Sequence, residues 1–260
     1  MNYQDAQTLP PDYSRKATDL TRDYLKKLHD HIISVLKSKL GEAVLATIPV
    51  EYVLTVPAIW QDKAKDATRT AAKAAGFGDK IHMISEPEAA ITYALDTMDV
   101  GIFKTGDTFV CCDAGGGTAD LISYTIEGFE GKIVKIKEAA SGTGDLCGSS
   151  FLNARFRKFM IDRFGEDEDW DNDTLEDALQ RFEKITKREF HGEQAEFVIP
   201  VPGLADDATK RVKRGKLRLT LDEMTSIFEP VILPITTLVS AQIKATKGKV
   251  KAVLLVGGFG

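Results

Sequence analysis

The sequence has little cysteine and no surplus of positive charge. It contains three cysteines in 260 residues, and the adjacent pair Cys111 and Cys112 lies within an apolar run. This pattern is typical of buried reduced thiols and not of a disulfide framework. The formal net charge of −5 provides no basic excess to neutralise a phosphate backbone. The composition therefore argues against a disulfide-rich secreted domain and against extended nucleic-acid binding.

Long hydrophobic runs are lacking too. The sequence predicts no apolar run near the roughly 18 residues of a membrane span. Residues 1–16 lack the basic-then-apolar order of a secretion signal. We therefore expect a cytoplasmic protein with no membrane partner. A hydrophobic content of 43% is still enough for one large domain or two smaller lobes.

Helical and strand patterns alternate along the chain, which is typical of an α/β fold. Residues 13–41 predict one long amphipathic helix, and we place its histidines, His29 and His31, on the surface. Thr174 and Asp177 have the spacing of a capping box at a later helix. The acidic segment "GEDEDWDNDT" predicts a solvated connector, because it lacks the spacing of a calcium loop.

The most informative stretch is "TFVCCDAGGGTAD", residues 108–120. An apolar run ends at Asp113, and three glycines lead to Asp120. The residues that follow keep a β-strand pattern, so the glycines predict a hairpin turn and not the strand-to-helix loop of a nucleoside-triphosphatase P-loop. With the turn centred on Gly116 and Gly117, the two aspartates lie opposite each other.

Facing carboxylates predict a divalent cation site. Like charges directly opposite across two strands are destabilising, and Mg²⁺ carrying a nucleotide phosphate needs only one or two carboxylates. Loop N–H groups and the Thr118 hydroxyl would then contact phosphate oxygens. The alternative is a glycine-rich hairpin whose aspartates only cap the turn. A second segment, "SGTGDLCG", matches the dinucleotide fingerprint weakly.

The motif "DAGGGTAD" resembles the second phosphate hairpin of actin-like ATPases, in the form typical of the heat-shock protein 70 chaperones. The segment "ISEPEAA" is similar to that family's catalytic-glutamate turn, "FEKITKREF" to its adenine-contacting helix, and "LLVGGFG" to its adenosine-contacting turn. With "VLTVPAIWQDKAKDATRTAAKAAGF", these segments follow the family order over roughly residues 50–260.

The resemblance implies an α/β, actin-like ATPase (ribonuclease H-like) fold with two lobes, the first incomplete, that binds ATP or ADP with Mg²⁺. It implies catalytic roles for Glu86, Asp113, Thr118 and Asp120, with Mg²⁺ held through waters by Asp113 and Asp120. The implied nucleotide contacts are Gly115, Gly116, Gly117, Thr118, Gly148, Glu183, Lys187, Arg188, Gly257 and Gly258. Gly148 would also lie in the hinge between the lobes.

The resemblance also divides the chain. Residues 1–40 would be a tail and helix left from a peripheral subdomain, 41–104 a partial lobe I, and 105–260 lobe II with a helical subdomain at about 148–225. Nothing in residues 1–40 matches the family's first phosphate hairpin or catalytic lysine, and the family's last helix and strand are missing. We therefore expect a chain truncated at both ends.

Departures from the usual pattern, such as Ala114, Ala119 and Ser85, resemble the divergent A12-type branch that lacks a conventional peptide-binding domain. The expected function is an ATP-binding domain that couples hydrolysis to lobe movement, with client or regulatory proteins as partners. The sequence does not decide whether the chain hydrolyses ATP, because it contains no match to the family's first phosphate hairpin or catalytic lysine. The alternatives are a non-hydrolysing interaction module and a sugar or carboxylate kinase of the same superfamily.

Overall fold

The computed structural model describes residues 14–97, 103–131 and 133–259. The predicted N-terminal tail lies mostly outside these residues. The chain divides into two units. The first contains residues 1–111, 122–142 and 247–254, and the second contains residues 112–121, 143–246 and 255–260. Alternating helices and strands confirm the α/β prediction.

The first unit contains a short parallel sheet with helices packed on it. Strands β1 and β2 pair with Tyr52 opposite Ile81. The segment after α3 is a π-helical turn, Lys73–Phe77, which contains Gly76 at φ +103°. The elements are α1 (Ala17–Leu40), α2 (Glu42–Leu45), β1 (Tyr52–Val56), α3 (Asp62–Ala72), β2 (Ile81–Ser85) and α4 (Glu86–Thr97).

A small aromatic core lies under α1, and it corrects the prediction for one histidine. The His29 side chain is only 17% exposed, and its ring centroid lies 5.1 Å from that of Phe77. The predicted surface position is therefore wrong for His29. The contacting face of α1 carries Leu25 and His29, four residues apart, whereas Tyr24 is 68% exposed. Helical spacing identified the helix but not the face that packs.

Four longer strands form a second sheet in the order β5, β4, β3, β8. They are β3 (Thr108–Ala114), β4 (Ala119–Glu130), β5 (Ile133–Asp145) and β8 (Val250–Val256). Strand β3 is flanked on both sides, and residues 109–112 are fully buried. A buried central strand explains why this run is continuously apolar. The three cysteines are buried, as predicted.

The second unit has the larger core. Helix α5 (Ser150–Phe164) packs with α6 (Asn172–Arg181), a π-helical turn (Phe182–Thr186), α7 (Lys187–Glu189), β6 (Glu196–Pro200), β7 (Lys216–Thr220) and α8 (Leu221–Ala245). The rings of Phe156 and Phe182 stack at 4.1 Å in the centre of this core. Strands β6 and β7 are antiparallel.

The start of α6 differs from the prediction. Asp171 is the N-cap residue, and its carboxylate accepts a hydrogen bond from Thr174 N at 2.7 Å. The predicted capping box of Thr174 and Asp177 is therefore wrong. Thr174 already lies inside the helix, and its hydroxyl donates to Pro202 O at 2.8 Å. An aspartate three residues upstream competes successfully for the cap.

Helix α8 contains Pro230 and Pro234, as the sequence predicts, and it buries Met224 and Ile227 in the core. By length and composition it is the one helix of the described chain that could cross a membrane, with a mean hydropathy of 1.4 over its most apolar window. This is a correction to the expectation that no segment approaches such a length. Core helices of soluble proteins pass the same test.

Thr220 caps α8 in a box that the sequence analysis missed. Its hydroxyl accepts from Glu223 N, while the Glu223 carboxylate accepts from Thr220 N at 2.9 Å. We expect Thr220→Ala to lower the free energy of unfolding by about 1 kcal/mol. The matched control is Thr237→Ala, whose exposed hydroxyl donates to Leu233 O, with an expected change within about 0.5 kcal/mol. Guanidinium unfolding measures both, and equal losses would contradict the capping role.

Candidate functional site

The glycine loop between β3 and β4 forms a hairpin. The N–H of Gly115 donates to Thr118 O at 2.9 Å, which confirms that the turn is centred on Gly116 and Gly117. Asp113 lies near the end of β3, and Asp120 lies at the start of β4. The glycines therefore reverse the chain between two strands, and no helix follows them directly.

Asp113 and Asp120 lie close enough for the charge of Asp120 to affect the pKa of Asp113. Burial raises the pKa of Asp113, and the charge of Asp120 raises it further. The Thr118 hydroxyl donates to Asp120 Oδ2 at 2.8 Å. Asp120 is 9% exposed, and within the described chain its buried Oδ1 has no hydrogen-bond partner. A buried carboxylate oxygen without a donor costs free energy unless a ligand or water supplies one.

The donor set decides which metal would fit. Among residues 14–97, 103–131 and 133–259, no three His, Cys, Asp or Glu side chains form a cluster that could hold a metal ion. Two carboxylates alone suit Mg²⁺, which retains waters and takes its remaining ligands from phosphates. The unpartnered Asp120 Oδ1 offers an acceptor for such a water. The residues present therefore fit Mg²⁺ held through waters.

The thiols beside the hairpin are poor nucleophiles. Burial and then the charge of Asp113 raise the pKa of Cys112 to about 11. Burial also raises the pKa of Cys147. A thiol with a raised pKa stays protonated near neutral pH and is unreactive. These cysteines therefore fill space near the hairpin.

Residues at the start of α5 hold the carbonyl side of the loop. The N–H groups of residues 148, 149 and 150 donate to the carbonyls of residues 117, 115 and 116, at 3.2, 3.0 and 2.8 Å. The carbonyls of all three glycines are thus occupied. In the described part of the chain, the N–H groups of Gly116, Gly117 and Thr118 have no acceptor. Successive free N–H groups on a glycine loop form an anion-binding nest.

Two glycines outside the loop allow this approach. A Cβ on Gly148 would overlap the carbonyl of Gly116 and stand 2.5 Å from Gly117 N. A Cβ on Gly257, which has φ +92°, would overlap the backbone of Ala114 and the carboxylate of Asp113. Gly148 and Gly257 are therefore required for packing against the hairpin.

A cavity of about 590 Å³ lies beside this turn in the second unit. Its lining includes four residues predicted to contact a nucleotide, Glu183, Lys187, Arg188 and Gly258. The other lining residues were not predicted from the sequence, and they are Ser149, Phe190, His191, Gly192, Phe228, Ile232 and Phe259. Phe190 and Phe259 lie inside the quoted segments "FEKITKREF" and "LLVGGFG", so the motifs already contained a usable signal for them. Phe228 and Ile232 lie on α8, outside every quoted motif, and nothing in the sequence pointed to them.

One wall of the cavity is an ion pair. Lys187 Nζ lies 2.5 Å from Glu183 Oε2 and 3.1 Å from Asn153 Oδ1. Burial raises the pKa of Glu183, but hydrogen bonds from Lys187 and Asn153 outweigh burial and lower it. Glu183 lies in the π-helical turn, a feature frequent at functional sites. The pair presents fixed charge at the cavity.

Another part of the cavity lining is apolar and aromatic. The rings of Phe190 and Phe228 lie 4.3 Å apart, and Phe259 packs against the same core. Cavities with apolar walls and a few fixed polar groups are typical of small-molecule sites. A flat heteroaromatic ring with polar edges suits this combination.

Glu86 lies in the first unit, half-buried at the start of α4 and directly after β2. Its neighbour Ser85 caps that helix, because Ser85 Oγ accepts from Glu88 N at 3.3 Å and Ser85 N donates to Glu88 Oε2 at 2.7 Å. Pro87 is buried in the first turn of α4. The catalytic role of Glu86 stays a prediction.

Comparison with known protein families identifies the family of this chain. The family model for the Hsp70 protein matches residues 16–260. The chain belongs to the Hsp70 family. The match spans the hairpin, the cavity and the turn at residues 257–259, so these features lie in an Hsp70-like nucleotide-binding domain.

Close packing at Gly148 predicts a stability effect in this Hsp70-family domain. We expect Gly148→Ala to lower the free energy of unfolding by about 1–3 kcal/mol, because the methyl group would push the glycine loop away. Gly258→Ala is the control, since a Cβ there meets nothing within 4 Å. Urea unfolding compares the two. If both variants lose the same stability, the contact at Gly148 is not what the geometry indicates.

Repulsion between the aspartates predicts the opposite effect. The folded-state pKa of Asp113 is raised, so its charged form is disfavoured on folding, and stability should rise as the pH falls through that pKa. In EDTA at pH 7 we expect Asp113→Asn to be more stable than the unmodified protein by about 0.5–1 kcal/mol. The gain should shrink at lower pH.

The control for this effect is Asp66→Asn. Asp66 is an exposed carboxylate of α3, and we expect a change within about 0.5 kcal/mol. Chemical unfolding at several pH values measures both variants. A loss of stability in Asp113→Asn at pH 7 would contradict the prediction that burial and Asp120 make the charge of Asp113 destabilising.

Proposed function

We propose that this Hsp70-family domain binds ATP and ADP with Mg²⁺. One observation carries the proposal, namely that the same short segments contact both the hairpin and the cavity. Phe259 N donates to Ala114 O at 2.9 Å, and Phe259 lines the cavity. Ser149 N donates to Gly115 O at 3.0 Å, and Ser149 lines the cavity too. A ligand with an anionic end and an aromatic end fits this layout.

Each part of such a ligand has a proposed partner. The phosphates would accept hydrogen bonds from the free N–H groups of Gly116, Gly117 and Thr118. The base and ribose would lie between the aromatic wall and the pair Glu183–Lys187. Bound Mg²⁺ would neutralise phosphate charge and relieve the repulsion between Asp113 and Asp120. The terminal phosphate would thus lie near the carboxylates of Asp113 and Asp120.

The finer functions are part of the proposal. We infer that Glu86 orients the water that attacks the terminal phosphate, because it follows a strand end where ligands of α/β sheets gather. Nucleotide turnover would open and close two lobes and so signal to client or regulatory proteins. The buried thiols support a reducing, cytoplasmic compartment.

Calorimetric titration of MgATP, MgADP and adenosine tests the proposal. We expect Lys187→Met to weaken the binding of all three ligands by about tenfold, because it removes the partner of Glu183 at the cavity. Asp113→Asn should weaken only the Mg²⁺-nucleotides. Lys184→Met is the matched control, since Lys184 is exposed on the π-helical turn that carries Glu183, does not line the cavity, and its Nζ donates to Gln180 Oε1 at 3.4 Å.

The outcomes separate the candidate functions. Mg²⁺-dependent binding that EDTA abolishes, together with phosphate release, supports an ATPase. Binding without phosphate release would favour a non-hydrolysing interaction module. A chain that is folded by circular dichroism and binds neither MgATP nor MgADP would contradict the proposal.

A further inference from the structure

A dense group of basic residues lies at the end of the β-strand pair in the second unit. Within residues 210–218, which we call the basic hairpin, six of nine positions are Lys or Arg: Lys210, Arg211, Lys213, Arg214, Lys216 and Arg218. The chain as a whole carries a net charge of −5. This local excess of positive charge is therefore opposite to the charge of the rest of the molecule.

Half of these cations fix the hairpin in place. Each forms an ion pair with a carboxylate of another segment, and Arg211 Nε also donates to Arg218 O at 3.1 Å. The pairs are Lys210–Asp167, Arg211–Glu223 and Arg218–Glu196. These contacts attach the hairpin to neighbouring segments before any partner arrives, and preformed structure reduces the entropy lost on binding.

The other three cations, Lys213, Arg214 and Lys216, are exposed and form no ion pair with any residue of the described ranges. Lys213 and Lys216 exchange both backbone hydrogen bonds, at 2.9 and 3.1 Å, so they lie directly opposite each other. Like charges in this position are destabilising. The hairpin therefore carries a repulsion that no ion pair to Lys213 or Lys216 relieves within the described ranges.

The turn itself is strained. Arg214 and Gly215 are its two central residues, with φ +52° and +65°, the signs of a type I′ turn that favours Asn, Asp or Gly at the first position. Arg211 also has a positive φ, +57°. Local strain of this kind is typical of functional sites. Repulsion and strain thus occur together at one exposed point.

Strand geometry indicates what would fit. Val212 and Leu217 are buried, so alternation places Arg211, Lys213 and Lys216 on the outer face with Arg218. Residues two positions apart on a strand are separated by roughly 6.4–6.8 Å along the strand axis. An extended polypeptide with acidic side chains at alternate positions repeats at the same distance. We propose that the basic hairpin docks an extended acidic polypeptide segment of a partner protein.

Other anionic partners fit less well. Residues 198–220 contain no aromatic side chain on which bases could stack. Asp206 Oδ1 accepts from Arg214 N at 2.6 Å, which places a negative charge beside the turn. A broad anionic surface that covered the whole turn would be repelled by this charge.

Fluorescence anisotropy with a labelled 12-residue peptide that alternates Glu and Thr tests the proposal in the absence of nucleotide. We expect the double variant Lys213→Glu, Lys216→Glu to bind about tenfold more weakly. The control, Lys247→Glu with Lys249→Glu, makes the same charge change at exposed lysines and should keep affinity within about twofold. A peptide with Gln in place of Glu should not bind.

Two single variants separate binding from stability. Arg214→Gly removes the strained position, and Lys213→Glu places opposite charges across the strands. We expect both to raise the thermal midpoint while weakening peptide binding, an outcome that misfolding cannot produce. Equal losses in the control double variant, or tighter binding to a single-stranded oligonucleotide or to phosphatidylserine vesicles than to the peptide, would overturn the proposal.

Discussion

Backbone-to-backbone contact around the glycine hairpin is the constraint on which the rest of the site depends. Because Gly148 and Gly257 lack side chains, the start of α5 and the turn after β8 both reach the loop directly. Three N–H groups then occupy the loop carbonyls, so the loop N–H groups remain available. The same two approaching segments also line the cavity. One packing arrangement thus relates the hairpin to the cavity.

Side chains of like charge lie close together at two hairpins, one acidic and one basic. Asp113 and Asp120 carry like charges at a partly buried turn, and Lys213 with Lys216 does so at an exposed one. Each arrangement lowers the stability of the free protein and favours a ligand of opposite charge. Burial makes the first pair suited to a small hard cation. Exposure and strand spacing make the second suited to an extended anionic chain.

Local patterns in the sequence predicted the hairpin, since three glycines between a buried strand and an alternating one admit few other structures. Family resemblance indicated Glu183 and Lys187. Tertiary packing decided the features that were missed. The face of α1 that buries His29 depends on Phe77 of the π-helical turn after α3. The aromatic wall of the cavity combines Phe190 with Phe228 from a distant helix. The π-helical turns have no sequence signal that we could read.

Amide hydrogen exchange followed by NMR tests the central claim most directly. If the loop N–H groups of Gly116, Gly117 and Thr118 bind phosphate, they should exchange rapidly in the free protein and become protected with saturating MgADP. The amides of residues 148–150, already bonded to loop carbonyls, should be protected in both states. Loop amides that exchange equally fast with and without MgADP, while resonances elsewhere shift, would contradict the account.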